Sequence, residues 1–238
     1  MTDSTRLFGE PPARDRRFVV KERLAEMENY AADHPLKDAE FLHRQMNEEI
    51  NSIEMCARNL ADFPDAEWEL RMEIARQCWD EARHAVAFRN LMQKKGGRLG
   101  QFPILNFQYR IVVALKALAS RLTVQNRSFE AAGLDAIQTG IDSSTRKDDS
   151  EFIALFEQQL ADEMQHVRYA NRWIKILMQR GGPRTVFELA RDVSQANEAL
   201  RTVAGDGMVF YPVVDELRRE AGFSDDEIES ARSLIAAE

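Results

Sequence analysis

The chain has 238 residues, 44% of them apolar, which is enough to bury a core in one large domain or two small ones. A net charge of −8 and an isoelectric point near 5.2 deny it the general basic footprint that phosphate backbones and anionic membranes require. Nucleic acid is therefore disfavoured, no membrane role is expected, and a small molecule or a protein is the expected partner.

Residues 1–33 carry Pro11-Pro12 and scattered charges, lack the apolar stretch of a signal peptide, and read as an arm with a short helix around Val20 to Tyr30. From Pro35 to Leu60 the apolar positions Leu36, Phe41, Leu42, Met46, Ile50, Ile53 and Ala57 recur at three and four residues, as a half-buried helix requires. The helix is expected to stop at Phe63-Pro64. Asp65 is a candidate cap for a second helix from about Ala66 to Lys95, which ends in lysines and Gly96-Gly97.

Residues 98–103 read as a loop, and Pro103 opens a helical stretch that continues to about Ala136. Ile104 lies 26 residues before Glu130, roughly 39 Å at helical rise, whereas the second helix has only about 20 Å left beyond Glu81. Residues 104–119 are therefore expected to form a crossover segment. The polar loop TGIDSSTRKDD leads to a fourth helix from about Asp149 to Arg180, closed by Gly181-Gly182-Pro183. Residues 184–238 read as two or three shorter amphipathic helices, the last begun by the capping-box pattern Ser224-Asp225-Asp226-Glu227.

No segment alternates as a strand does, and the apolar run IVVALKALASRL is too short and too basic to span a bilayer. The expected class is all-α: an arm (1–33), a four-helix bundle (34–180) and a C-terminal helical cap packed on it (181–238), with a cytoplasmic location.

Residues three apart on a helix share one face, so Glu81 with His84, and Glu163 with His166, each aim a carboxylate and an imidazole at one point. Glu49 lies 32 residues before Glu81, and Glu130 lies 33 before Glu163. The chain thus reads as two helix pairs, each supplying Glu and then Glu-x-x-His, the ligand inventory of a dinuclear centre in a four-helix bundle. Two surface Glu-x-x-His pairs making ordinary helical contacts are the plainer reading, which the matched spacing disfavours. Four glutamates balance two divalent cations, and without metal the facing carboxylates would repel and their pKa values would rise. With no CxxC pair, the two cysteines encode neither a disulfide framework nor a thiolate site, and carboxylate with imidazole suits iron or manganese.

Glu49 shares the apolar phase of Leu42, Met46, Ile53 and Cys56, whereas Glu48 lies about 100° off it, and Glu54, about 140° from Glu49, is expected to be an outer residue or a helper behind the ligands. Asp80 and Asp162 precede the two Glu-x-x-His glutamates and are expected to orient the histidine of the opposite pair, Asp80 with His166 and Asp162 with His84, with Arg83 as a partner for Asp80. Ser52 and Gly133 stand where the other two helices carry histidine. Their small size leaves room for dioxygen or substrate, or serves close helix packing. Gln45, Gln77, Thr123, Asn126, Arg127 and Gln159 fall on the same inner faces and suggest a polar pocket. His34 and His43 are expected at the surface, Cys56 and Cys78 as small core residues, and Trp68, Trp79 and Trp173 as packing aromatics, with Trp79 close enough in sequence for electron transfer.

Through Glu49, Glu81-x-x-His84, Glu130 and Glu163-x-x-His166 the chain resembles the ferritin-like di-iron carboxylate proteins. The runs NEEINSIEMCARNLADFPDAEW, RQCWDEARHA, NRSFEAAGLDA and RREAGFSDDEI are similar to a bacterial ferritin-like family of unknown function, over about residues 34 to 235. Asp80-Glu81-Ala82-Arg83-His84 also resembles the Asp-Glu-x-Arg-His motif of bacterial multicomponent monooxygenases, in which the Asp holds a ligand histidine; Gln165 replaces the Arg in the second repeat.

The resemblance implies two iron ions (Fe2+/Fe3+), or a mixed Mn/Fe pair, bridged by Glu81 and Glu163 in a non-haem oxygenase or oxidase that uses dioxygen on a small organic substrate. No flavin or ferredoxin motif occurs, so an external electron donor is implied. A ferroxidase or peroxide scavenger is the alternative, disfavoured by the missing rubredoxin-like cysteines and by the C-terminal extension. A tRNA-modifying hydroxylase, disfavoured by the acidic charge, and a non-catalytic bundle are further readings, and a homodimer is one assembly compatible with all of them.

Overall fold

The computed structural model describes residues 8–143, 148–205 and 210–236, and these are mostly helical with almost no strand. The chain divides into two compact units, Met1–Leu118 with Asp192–Met208, and Ala119–Arg191 with Val209–Glu238.

The first unit is built on a helical hairpin, α1 (Lys37–Asp62) and α2 (Trp68–Lys94). Ala39, Leu42, Met46, Met55 and Cys56 bury one stripe of α1, and Leu70, Ile74, Phe88, Leu91 and Met92 bury one of α2, each at helical spacing. Pro64 cannot continue α1, and the guanidinium of Arg71 closes its end by donating to the carbonyls of Leu60 at 2.9 Å and Phe63 at 2.8 Å. Asp65 does not cap α2: the cap position is Glu67, whose side chain makes no capping hydrogen bond. At the far end Gly96, at φ 83°, donates to Gln93 O at 3.1 Å and Gly97 donates to Met92 O at 2.9 Å, a paired closure that needs a left-handed residue.

The arm departs from the expected helix at Val20 to Tyr30. Instead β1 (Val20–Lys21) pairs in parallel with β2 (Ile104–Leu105), and a single 3-10 turn covers Leu24–Glu26. The β-branched Val19-Val20 pair favours extended backbone, and Pro103 pushes the residue before it toward the same region, so both segments offer main-chain partners. Arg14 ion-pairs with Glu54 and donates to Asn51 Oδ1 at 3.1 Å, and Gly9 donates to Arg110 O at 2.7 Å, which ties the arm down.

His43 is not a surface residue. It is fully buried between the rings of Phe18 and Phe102 and accepts the Gly100 N–H at Nε2, 3.0 Å away. His34 is exposed and stacks on Tyr30.

The single helix expected from Pro103 to Ala136 is broken. After β2, α3 (Phe107–Ala114) packs on α1, and Leu115 then turns out of the helix with ψ 139°. Helical backbone resumes as α4 (Leu118–Leu122), passes through a π-helical segment (Thr123–Glu130) and continues as α5 (Ala131–Asp142). Thr139–Asp142 of the expected loop are therefore helical; residues 144–147 lie outside the described residues.

Asp149 accepts the Phe152 N–H at 3.1 Å and opens α6 (Ser150–Ala204). This run breaks at Gly182, whose φ 67° and ψ −163° are accessible to glycine alone, and restarts at Pro183, whose fixed φ suits a first turn. The part after Pro183 runs on to Ala204, longer than the short helices expected there.

In the second unit, α7 (Asp215–Glu220) and α8 (Asp225–Ala236) close the chain. Ala131, Leu134, Met164, Val167 and Ala221 form a buried cluster, packed on by Leu160, Leu217 and Phe223. Beside it Asp135 receives Arg218 through two nitrogens, at 2.6 and 3.2 Å, and accepts the Val214 N–H at 2.9 Å, so this buried pair has its polar atoms served. Ser224 and Glu227 make the reciprocal capping pair, Ser224 N–H to Glu227 Oε2 at 2.8 Å and Glu227 N–H to Ser224 Oγ at 3.3 Å.

Of the three tryptophans only Trp173 is buried; Trp68 and Trp79 stand exposed on α2 rather than packing inside. Among the described residues, no helix is long and apolar enough to cross a membrane.

Candidate metal sites

Each unit carries one buried triad of two glutamates and a histidine. In the first, α1 supplies Glu49 and α2 supplies Glu81 and His84, and one ligand atom of each lies within 4.8 Å of the others. His84 Nδ1 is 3.3 Å from Glu81 Oε2 and 3.4 Å from Glu49 Oε2. The short turn between α1 and α2 makes them antiparallel neighbours, which brings Glu49 beside the i, i+3 pair on α2.

In the second unit, Glu130 ends the π-helical segment and faces Glu163 and His166 of α6. Their ligand atoms also lie within 4.8 Å of one another, with His166 Nδ1 3.2 Å from Glu163 Oε2.

The donor sets fit a cation. Nitrogen and oxygen ligands sit about 2.0 to 2.2 Å from a first-row metal ion, so donors on one ion are at most about 4.4 Å apart and each triad needs little contraction. Two carboxylates with a neutral imidazole carry two negative charges, which a divalent ion cancels. Buried without one, they would pay the full cost of desolvation. Glu48 lies off this arrangement, with 33% of its side chain exposed and Arg44 3.9 Å away.

Both triads are steadied by a side-chain amide one turn earlier. Gln77 Nε2 donates to Glu81 Oε1 at 3.0 Å, leaving Oε2 toward His84, and Asn126 Nδ2 donates to Glu130 Oε2 at 2.8 Å and to His166 O at 3.4 Å. The sequence holds a regularity behind this: an amide stands four residues before every glutamate of the set, Gln45 before Glu49, Gln77 before Glu81, Asn126 before Glu130 and Gln159 before Glu163. That pattern was readable from spacing alone, yet composition of the inner faces suggests only a polar pocket.

The π-helical turn was not readable. Ala131 donates to Asn126 O, five residues back, and the Thr123 and Ser128 hydroxyls donate to Ala119 O at 2.8 Å, just before the widened segment, and to Thr123 O at 3.3 Å, at its start.

Asp80 is buried and forms ion pairs with Arg83 and, at 3.4 Å, with Arg76; Asp162 is half-buried. Gln77, Asn126 and Gln159 are buried, while Gln45 and Ser52 are half-buried. A Cβ built on Gly133 would meet nothing within 4 Å, so a side chain there is not excluded by close packing.

Arg127 is engaged elsewhere than at a pocket: it pairs with Glu227 at 2.6 Å and lies over the Phe223 ring at 4.7 Å, tying the π-helical segment to the start of α8. Burial pushes the Glu227 carboxyl up, but the Ser224 N–H and Arg127 outweigh it and hold the group below the usual range. Cys56 and Cys78 form no disulfide, and burial first, then the Glu81 charge, pushes the Cys78 thiol up. No curated protein and no solved structure matches the chain. A family model described as "Protein of unknown function (DUF455)" matches residues 3–229, nearly the whole length, and the chain therefore belongs to the DUF455 family.

Proposed function

We propose that the two triads form a single dinuclear iron centre in a ferritin-like four-helix bundle, and that the protein is a non-haem di-iron oxygenase or oxidase acting on a small organic substrate. The observation that carries this reading is the repeat: two buried Glu, Glu-x-x-His triads, each with a carboxylate held by an amide four residues earlier. Glu49, Glu81, His84, Glu130, Glu163 and His166 would hold the two ions.

Iron held there, or a manganese/iron pair, would supply the redox chemistry that activates dioxygen. The chain's own part is orientation and exclusion. Gln77 and Asn126 would fix which carboxylate oxygen is left for the metal, and burial of all six ligands keeps bulk water away. An external donor would supply electrons for a monooxygenase.

The test is oxygen uptake by the ferrous protein with and without candidate metabolites. Uptake that rises with a particular metabolite, with oxidised product recovered, supports the reading. Uptake indifferent to every organic compound, with ferric mineral accumulating, would replace it with a ferroxidase.

A further inference from the structure

The outer face of α2 carries four large apolar side chains in the open: Trp68 is 69% exposed, Met72 43%, Trp79 65% and Val86 46%. With Ala75 and Ala82 between them they recur at alternating intervals of four and three residues, the period of a two-helix seam rather than of scattered surface apolars. The opposite face of the same helix carries Glu81 and His84, so the seam faces away from the ligands. One helix thus has two jobs.

We propose that this seam pairs with the same seam of a second copy of the chain, antiparallel, making a two-fold homodimer. Size and charge both select that occupant. About 27 Å separates Trp68 from Val86 at helical rise, and antiparallel alignment about a two-fold axis near residue 77 sets large residues against small ones. Trp79 then meets Ala75 of the second copy, Met72 meets Ala82, and Trp68 meets Val86.

One flank of the seam carries acidic Glu69 near its start and basic Arg83 toward its end. Parallel pairing would place like charges together, whereas antiparallel pairing lays each copy's acidic end along the other's basic end. A single helix pair of this length sits at the small end of stable interfaces, so dimerisation is concentration-dependent.

The experiment is sedimentation of the full chain over a concentration series, joined to cysteine cross-linking across the two-fold axis. The wild-type chain is expected to shift from 27.3 kDa toward twice that mass with rising concentration, and Trp79→Glu to weaken the dimer at least tenfold with circular dichroism unchanged. Val86→Glu serves the same purpose at the other end of the seam should Trp79→Glu fail to fold. In a Cys56→Ser, Cys78→Ser background under mild oxidation, Arg76→Cys, beside the axis, is expected to cross-link to its own counterpart, and Arg89→Cys, near the end of the helix, is not.

A chain that stays monomeric to about 200 μM overturns the proposal. So does a dimer that tolerates both Trp79→Glu and Val86→Glu, or equal cross-linking at positions 76 and 89, which parallel pairing would give.

Discussion

Asn126 donates its side-chain amide to Glu130 Oε2 at 2.8 Å across a π-helical turn, and so fixes which face of that carboxylate is left for a ligand. Gln77 does the same for Glu81 at 3.0 Å across an ordinary α-helical turn. Partners of this kind typically contribute a factor of about 10 to 100 in metal affinity. Asn126→Leu and Gln77→Leu are each expected to weaken Fe(II) or Co(II) binding by that factor while leaving helix content intact. Competition against a chelator of known affinity measures it, and unchanged affinity in both would assign the amides to packing alone.

His43 predicts an acid-sensitive fold. Burial holds its pKa at about 4 against 6.5 in an unfolded chain, so between those values the unfolded state binds a proton that the folded state refuses. The contribution is complete above pH 6.5, falls as pH drops through this window, and levels off below about pH 4, a loss of about 3 kcal/mol at most. His43→Gln keeps an acceptor for the Gly100 N–H but does not titrate. Urea midpoints for the two proteins are expected to converge or cross as pH falls from 7 to 4, and parallel curves would contradict the assignment.

The buried pair of Asp135 and Arg218 is expected to behave asymmetrically. Arg218→Met strands a carboxylate and should cost about 3 to 5 kcal/mol in denaturant unfolding. Adding Asp135→Asn removes the stranded charge yet retains an acceptor for the Val214 N–H, and should recover most of the loss. A double variant no more stable than Arg218→Met alone would show that the charge is not what matters.

Two glycines with open surroundings should respond in opposite directions. Gly182 has space for a Cβ but sits at φ 67° and ψ −163°, so Gly182→Ala should cost about 1 to 3 kcal/mol through backbone strain. Gly133 lies in regular helix with equal space, so Gly133→Ala should stabilise by about 0.5 to 1 kcal/mol. Thermal unfolding of the pair separates conformation from crowding.

What could be read from the sequence was what local chemistry decides. Helix ends marked by Gly96, Asp149 and Ser224 with Glu227 fall where their capping chemistry puts them, and the break at Gly182 follows from its own punctuation. The features that escaped depend on partners far along the chain. Val20 is extended because it meets Ile104, and His43 is buried because Phe18 and Phe102 close over it. Trp68 and Trp79 looked like core because bulk apolar residues usually are, yet their period of three and four faces outward on α2. The π-helical turn leaves no mark in an apolar pattern, since the buried Asn126 and Glu130 on it are polar.

Six residues are proposed to hold a pair of metal ions, and metal analysis after anaerobic iron loading decides whether they do. The wild-type chain is expected to bind about two metal ions, with paired binding lost in His84→Ala and in Glu130→Ala and retained in Glu48→Ala, whose side chain stands beside Arg44 rather than in a triad. A folded wild-type chain that binds no metal, or one in which Glu48→Ala is as damaging as Glu130→Ala, would contradict the assignment.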